Sequence, residues 1–566
     1  MTFRFSALLL AAAAGLIARQ AAPAAANRSP ARANHGMVVS GDSLASAAGI
    51  GILKMGGNAV DAAVAVGFVL AVTYPEAGNL GGGGFMIIRM AGGESTMIDF
   101  RERAPGAATR DMFLDRSGRP LKEKSLAGPL AAGVPGTVDG LLTALSEYGS
   151  LRRDDVIRPA LELAERGFPL SEHLSRRLEE EIPRFSAFPS TMSLFTRGGA
   201  PYRRGDTLRQ GDLARTLRSI GEKGAEGFYG GDVSARIVAE MKKEGGIITA
   251  ADLREYTCVE RDPLLGSYRG CKIITAAPPS SGGLLLLQIL NSLERFDLRR
   301  MGWNSPHAVH ALAASFQRAF ADRAAYLGDP DYVYVPAGEL IAKEYAAGRL
   351  ADFDSTRALR SARIEAGDPG AADHQTTQYC VGDRFGNVVS VTTTLNGLFG
   401  CKAIVDGAGF FLNNEMDDFT VKAGALNLYS LVGGVPNEIE PGKRMLSSMA
   451  PTIVVRDRMP FLLLGARGGS RIPTSVAQII ANVVDFGMTA QEAVDAPRVH
   501  HQWIPDTLLF EKRALSQEAV RNLGSMGYVL EEVEVTARAE ALMFDAEKGW
   551  YVGGPDPRDG GVAIGY

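Results

Sequence analysis

At 566 residues, with 46% hydrophobic and 22% charged residues, the chain has the composition of a globular enzyme and room for two to four domains. A net charge of -4 without basic runs argues against a general binder of nucleic acid or of anionic membrane. Four cysteines in this length do not make a disulfide scaffold.

The first residues read as a leader. Arg4 supplies the positive end, Phe5 to Ala18 is an apolar stretch of 14 residues, and Ala24-Ala25-Ala26 offers a small-residue cleavage site before Asn27. The stretch is short for a permanent span, so the expectation is export with the leader removed, no integral membrane domain, and a periplasmic or secreted product. An uncleaved N-terminal anchor is the alternative.

Capping residues at Ser40 to Ser43 precede a helix over Leu44 to Leu53, and Ala59 to Val72 has the composition of a buried helix. The run Asn79-Leu80-Gly81-Gly82-Gly83-Gly84 feeds the strand Phe85 to Ile88. It lacks the Gly-Lys-Ser/Thr of a phosphate-binding loop and runs loop to strand, so nucleotide binding is rejected. Met97 to Phe100 is a short strand ending at Arg101. Pro159 to Met241 is largely helical, Ile273 to Ala277 is a strand, and helices follow at Leu284 to Leu293 and His307 to Leu327. Cys258 and Cys271 flank a turn at Pro263 to Gly266 that would bring them together across a hairpin, with their pairing left open.

Ala337 to Asp373 is polar and irregular, as expected of an exposed or mobile segment where a chain can be cut without loss of a core. Beyond it lies His374-Gln375-Thr376-Thr377-Gln378-Tyr379. Tyr379 to Val381 and Val388 to Thr394 read as a hairpin closed by Asp383 to Asn387. Strands follow at Ile453 to Val455 and Phe461 to Leu464, then a helix over Ser475 to Asp485. Two domains with separate cores and one layered αββα body both fit this order.

A threonine released as an N-terminus carries its own base, because its α-amino group can take the hydroxyl proton. Thr376 is such a candidate, although Thr376 and Thr377 equally suit an ordinary strand. No HExxH, CxxC or Gly-x-Ser-x-Gly occurs, and His500-His501 in a strand would face opposite ways. The remaining polar concentrations are Thr392 to Asn396, Asn413 to Phe419, Met445 to Pro451 and Gly465 to Arg471. Singly, each is an ordinary strand, turn or loop.

Together with Thr376-Thr377-Gln378-Tyr379 and Asp99-Phe100-Arg101-Glu102, these segments resemble the γ-glutamyltranspeptidases, or glutathione hydrolases. Those are N-terminal-nucleophile hydrolases made as one chain and self-cleaved into two subunits. The resemblance spans nearly the whole mature chain, including Gly78 to Phe85, Pro278 to Gly283, Ala496 to Trp503 and Asp556-Pro557-Arg558. It implies a four-layer αββα sandwich, no cofactor and no metal. It also implies cleavage at Gln375–Thr376 into a large subunit, 27–375, and a small one, 376–566, which pair as a heterodimer.

By the same resemblance Thr376 is the cleavage residue and nucleophile, Thr394 bonds the nucleophile oxygen, and the N–H groups of Gly468 and Gly469 form an oxyanion hole. Arg101 grips the substrate α-carboxylate, helped by Ser447 and Ser448. Asn396, Glu415 and Asp418 surround the α-ammonium. The substrates implied are glutathione and related γ-glutamyl compounds, with water, amino acids or peptides as acceptors. Lys422 to Lys443, with Tyr429, resembles a lid loop. Two residues depart from the family pattern: Gln378, where histidine is common, and Arg467, where proline is frequent. The alternatives are a cephalosporin (glutaryl) acylase of the same fold, and an uncleaved, non-enzymatic γ-glutamyl-binding member.

Overall fold

The computed structural model describes residues 30–367, 377–558 and 560–566. The leader 1–26, the Gln375–Thr376 bond and Thr376 itself lie outside them. Among the described residues two seven-stranded antiparallel sheets are stacked. The first runs Val562–Gly565, Met37–Ser40, Thr377–Gly382, Val388–Thr394, Gly83–Arg89, Ser95–Asp99, Val259–Arg261. The second runs Arg32–Ala33, Trp550–Gly554, Arg538–Asp545, Met459–Arg467, Thr452–Arg456, Cys271–Thr275, Leu264–Tyr268. Strands from before and after residue 376 interleave in both, so the chain forms one layered body.

Period-two alternation sorts the side chains. Met37, Val39, Phe85, Ile87, Leu463 and Leu542 fill the space between the sheets. Val38, Met86, Ile88, Val389 and Val391 face outward, under the helices Ser43–Lys54, Ala59–Thr73 and Thr137–Tyr148. Gly282–Leu293 and Arg471–Val484 cover the other sheet, and Pro306–Tyr326 packs against Gly282–Leu293. With both faces covered, these strands read as continuous apolar runs. Ala59–Thr73 is buried along its whole length, which explains its lack of a polar face. It starts at a capping box, in which Asn58 Oδ1 accepts from Asp61 N (3.1 Å) and Asn58 N donates to Asp61 Oδ2 (2.7 Å). Among the described residues no helix is long and apolar enough to cross a membrane.

The segment upstream of residue 376 is better held than its composition suggests. It forms the short helices Ala337–Leu340 and Lys343–Arg349. Trp503 Nε1 donates to the carbonyls of Ser361 (2.9 Å) and Ile364 (3.0 Å), and Gly367 N donates to Asp322 Oδ1 (2.6 Å). Backbone groups that pair with no strand are satisfied here by side chains of the body, which fixes the segment as far as Gly367.

The expected approach of Cys258 and Cys271 does not occur. The hairpin is Leu264–Tyr268 with Cys271–Thr275 in the second sheet, while Cys258 precedes Val259–Arg261 at the edge of the first. The Cys258 thiol instead donates to Thr143 Oγ1 at 3.2 Å, and burial pushes its pKa up to about 12. All four cysteines are free. Alkylation of the unfolded, unreduced protein is therefore expected to add four labels, counted by intact mass. Two labels would mean a disulfide.

Candidate active site

The strands Val388–Thr394 and Met459–Arg467, one from each sheet, end at a common cleft of about 900 Å³ whose lining includes Thr394, Asn396, Arg467 and Gly468. The glycine run beside it has a packing role. Asn79 Nδ2 donates to the Thr394 carbonyl (2.7 Å), and Asn79 Oδ1 accepts from Gly82 N (2.9 Å). A Cβ on Gly82 would lie 2.0 Å from that carbonyl, so only glycine lets the loop come close enough to fix Thr394. Thr394 Oγ1 accepts the Asn396 N–H at 2.7 Å, which leaves its hydroxyl proton to donate.

Across the cleft, Gly468 (φ +140°) and Gly469 (φ +66°) turn the chain from strand into the helix Arg471–Val484. Among the described residues neither glycine N–H meets an acceptor. Two adjacent backbone donors beside a cleft suit a developing oxyanion.

Behind the cleft lies a fully buried ionic cluster. Arg101 Nη2 donates to Asp418 Oδ2 (2.6 Å), and its Nη1 lies 2.8 Å from Glu415 Oε2 and 3.3 Å from Glu102 Oε2. Its Nε and Nη2 also reach the carbonyls of Met445 (3.0 Å) and Leu446 (3.3 Å). Burial works against the Arg101 charge, but the three carboxylates outweigh it and hold the guanidinium protonated. Burial, and then the neighbouring Glu415, raise the carboxyls of Glu102 and Asp418 well above the usual range. A ligand ammonium placed beside these acids would favour their charged forms against the burial.

Ser447 and Ser448 are buried and follow the two carbonyls that Arg101 grips. The loop Pro278 to Gly283 fixes them: Ser281 N donates to the Ser447 carbonyl (2.6 Å), Ser447 N donates to the Pro279 carbonyl (2.8 Å), and Ser280 Oγ donates to the Met449 carbonyl (2.6 Å). Asn396 joins cluster to cleft through its Nδ2, which donates to the Asn414 carbonyl (2.9 Å). Tyr429 Oη donates to Asn396 Oδ1 (2.7 Å), and Gln502 Nε2 donates to the Tyr429 carbonyl (3.1 Å), drawing the 422–443 loop over the site.

Of the candidate site residues, Thr394, Asn396 and Gly468 line the cleft, and Arg101, Glu415 and Asp418 lie in the cluster behind it. Gly469 adjoins Gly468 in the chain, and Ser447 and Ser448 follow Leu446, whose carbonyl Arg101 meets; Thr376 is not among the described residues. Other motifs prove architectural. Arg498 Nη2 meets Asp556 Oδ2 (3.2 Å), and Arg558 Nη2 meets Glu511 Oε2 (2.7 Å), tying the C-terminal motif to Ala496 to Trp503. His500 and His501 meet different partners, Thr474 with Gln502 and Asp506 respectively. Gln378 is a buried sheet residue whose Oε1 accepts from Thr392 Oγ1 (2.6 Å). Among the described residues no group of three His, Cys, Asp or Glu is placed to hold a metal.

Glu102 was not assigned a role from sequence, although it adjoins Arg101; only the fold turns it inward with its neighbour. The cluster of Glu76 and His173 was likewise missed. His173 Nε2 lies 3.0 Å from both Glu76 oxygens, a pairing across 97 residues that no local pattern encodes.

Two stacked sheets covered by helices on both outer faces, with candidate groups where strands of the two sheets end, define the N-terminal-nucleophile hydrolases. The family model for gamma-glutamyltranspeptidase matches residues 45–566, and the chain belongs to that family. The glutathione hydrolase proenzyme of Escherichia coli K12 is 46% identical over 534 residues, 94% of this chain and 91% of that protein. The acylase ACY 1 proenzyme of Pseudomonas sp. strain V22 is 38% identical over 529 residues, 92% of each. Among solved structures, a cephalosporin acylase from Bacillus halodurans superposes with TM-score 0.86 at 26% identity, covering 97% of this chain and 99% of its own. A γ-glutamyltranspeptidase chain from Helicobacter pylori gives 0.58 at 45% identity over 60% of this chain and 97% of its own.

Proposed function

We propose that the chain is an exported γ-glutamyltransferase and glutathione hydrolase, made as a proenzyme and matured by cleavage at Gln375–Thr376. The observation that carries this reading is the buried cluster. It joins a guanidinium to three carboxyl groups, with Ser447 and Ser448 next in the chain to the carbonyls that Arg101 meets, a pattern complementary to an amino-acid zwitterion, beside a cleft wall that bears Thr394 and Gly468. Thr376 immediately precedes Thr377, whose register partner Thr393 adjoins Thr394.

In this reading the leader 1–26 is removed, and residues 27–375 and 376–566 pair as large and small subunits. The free α-amino group of Thr376 takes the proton from its own hydroxyl, whose oxygen Thr394 orients. The alkoxide attacks the γ-glutamyl amide, the Gly468 and Gly469 N–H groups hold the oxyanion, and the ammonium returns its proton to the departing amine of cysteinylglycine. Water, or the amine of an amino acid or peptide, then takes the γ-glutamyl group from Thr376. Arg101, Ser447 and Ser448 hold the α-carboxylate, and Asn396, Glu415 and Asp418 hold the α-ammonium.

The acylase alternative has support in the ACY 1 and cephalosporin acylase relatives. A glutaryl side chain carries no ammonium, however, and would leave Asp418 and Glu415 buried without a cation from the ligand, which disfavours it. Denaturing electrophoresis of purified protein, with N-terminal sequencing and a γ-glutamyl anilide assay, tests the reading. The expected result is two bands, the smaller beginning at Thr376, and release of the anilide. A permanently single, inactive band would support the non-enzymatic alternative, and faster turnover of a glutaryl substrate would support the acylase.

A further inference from the structure

Arg101 stands two residues beyond the strand Ser95–Asp99, where the ladder no longer holds the main chain. The antiparallel register that pairs Asp99 with Val259 ends at the same point, and the residues just before Val259 pass beside it. Two side chains take over there. Arg101 N donates to Asp99 Oδ1 (3.0 Å), and the Arg101 carbonyl accepts from Tyr256 Oη (2.9 Å). The other Asp99 oxygen is taken by Arg261 Nε at 2.8 Å, with Arg444 Nε at 3.5 Å, and both guanidiniums also reach Asp331. Tyr256 is buried, and burial holds its phenol protonated and able to donate. Its ring stacks on Tyr229 (5.7 Å between centroids, 7° between planes) and lies 6.0 Å from the Arg444 guanidinium. Glycine at position 136 admits it, since a Cβ there would lie 2.0 Å from Tyr256 Oη.

We infer that Tyr256 is a positioning residue for the amino-acid end of the donor: by holding the Arg101 main chain, it sets where the guanidinium meets the substrate α-carboxylate. The inference rests on the γ-glutamyl reading above. A guanidinium is aimed only as well as the backbone that carries it, and its planar fork tolerates little misplacement. The far end of Arg101 is fixed by Met445, Leu446 and the three acids, and the near end by Asp99 and Tyr256. Asp99 belongs to the same run of chain and moves with it. Tyr256 reaches across 155 residues and ties that run to a separate wall of the site. Its hydroxyl bonds a carbonyl, so removing it changes placement and leaves every charge of the cluster where it was.

Tyr256→Phe removes that hydroxyl, fills the same space and keeps the ring stacking. With a γ-glutamyl anilide as donor, KM is expected to rise about fivefold while kcat stays within about twofold, as the loss of one hydrogen bond behind a substrate-binding group implies. A general loosening of the fold would instead lower kcat through the active fraction and leave KM alone. Tyr229→Phe is the control, because that buried tyrosine donates to the Pro135 carbonyl (2.9 Å) and not to Arg101. Its KM should match that of the wild type. An unchanged KM in Tyr256→Phe, a loss confined to kcat, or an equal rise of KM in Tyr229→Phe would each overturn the inference. A wild-type protein that does not turn over the anilide would instead overturn the reading beneath it.

Discussion

Thr376→Ala is expected to purify as one uncut chain and to turn over a γ-glutamyl anilide at no more than about one thousandth of the wild-type rate. Both effects have one cause. In the proposed mechanism the same hydroxyl attacks its own upstream peptide bond and, once the α-amino group is free, the substrate. Removing it takes away the bond-forming atom in both reactions, so no neighbouring group restores either. Thr377 is no substitute, because it is a strand residue in register with Thr393 and keeps a peptide nitrogen where a free amine is needed. Thr376→Ser keeps a hydroxyl and should still mature. A free α-amino base also predicts the pH profile: kcat/KM should rise as that group loses its proton and level off above about pH 8. Two bands from Thr376→Ala, or a wild-type rate, would remove Thr376 from the mechanism.

Local chemistry wrote much of this architecture into the sequence. The hairpin of Thr377–Gly382 with Val388–Thr394 is legible because Asp383 and Gly386 fit its turn: Asp383 Oδ1 accepts from Phe385 N (2.8 Å) and Asn387 N (3.0 Å), and Gly386 has φ +89°. Long apolar helices such as Gly282–Leu293 are legible for similar reasons. Strand order is not. Met37–Ser40 pairs with Val562–Gly565, more than five hundred residues away, and hydrophobic period cannot choose partners at that range. The candidate site shows the same division. Its residues were found as short polar motifs through a family resemblance, whereas the roles of Asn79 and Ser281, which hold Thr394 and the Ser447 loop, depend on contacts across hundreds of residues. Composition predicted a loose segment before residue 376 because it could not include the distant Trp503 and Asp322 that fasten it.

Arg101→Met, compared with Arg101 in a Thr376→Ala background so that both chains are uncut, is expected to lose about 3–5 kcal/mol of stability near neutral pH. Methionine roughly fills the space but leaves the carboxyls of Asp418, Glu415 and Glu102 buried without their shared cation. The loss should shrink on acidification, and its sign follows from proton binding. The Glu102 and Asp418 carboxyls already have raised pKa values with Arg101 present, and without it they rise further. The folded variant then binds more protons than its unfolded chain, whose carboxyls titrate near 4, so its stability falls as pH increases from about 4 towards 7. Thermal melts of the pair should therefore converge between pH 7 and pH 5. In the otherwise wild-type protein, the same substitution should lower kcat/KM for glutathione at least about a hundredfold, since in the proposed mechanism the substrate α-carboxylate loses its guanidinium partner. Asp418→Asn separates the two consequences: it keeps the guanidinium and a hydrogen-bonding group of the same shape but removes one charge facing the ammonium. Its loss should lie in turnover far more than in melting temperature. An Arg101→Met protein with unchanged melting temperature and unchanged KM would mean that the guanidinium neither balances the buried acids nor meets the substrate.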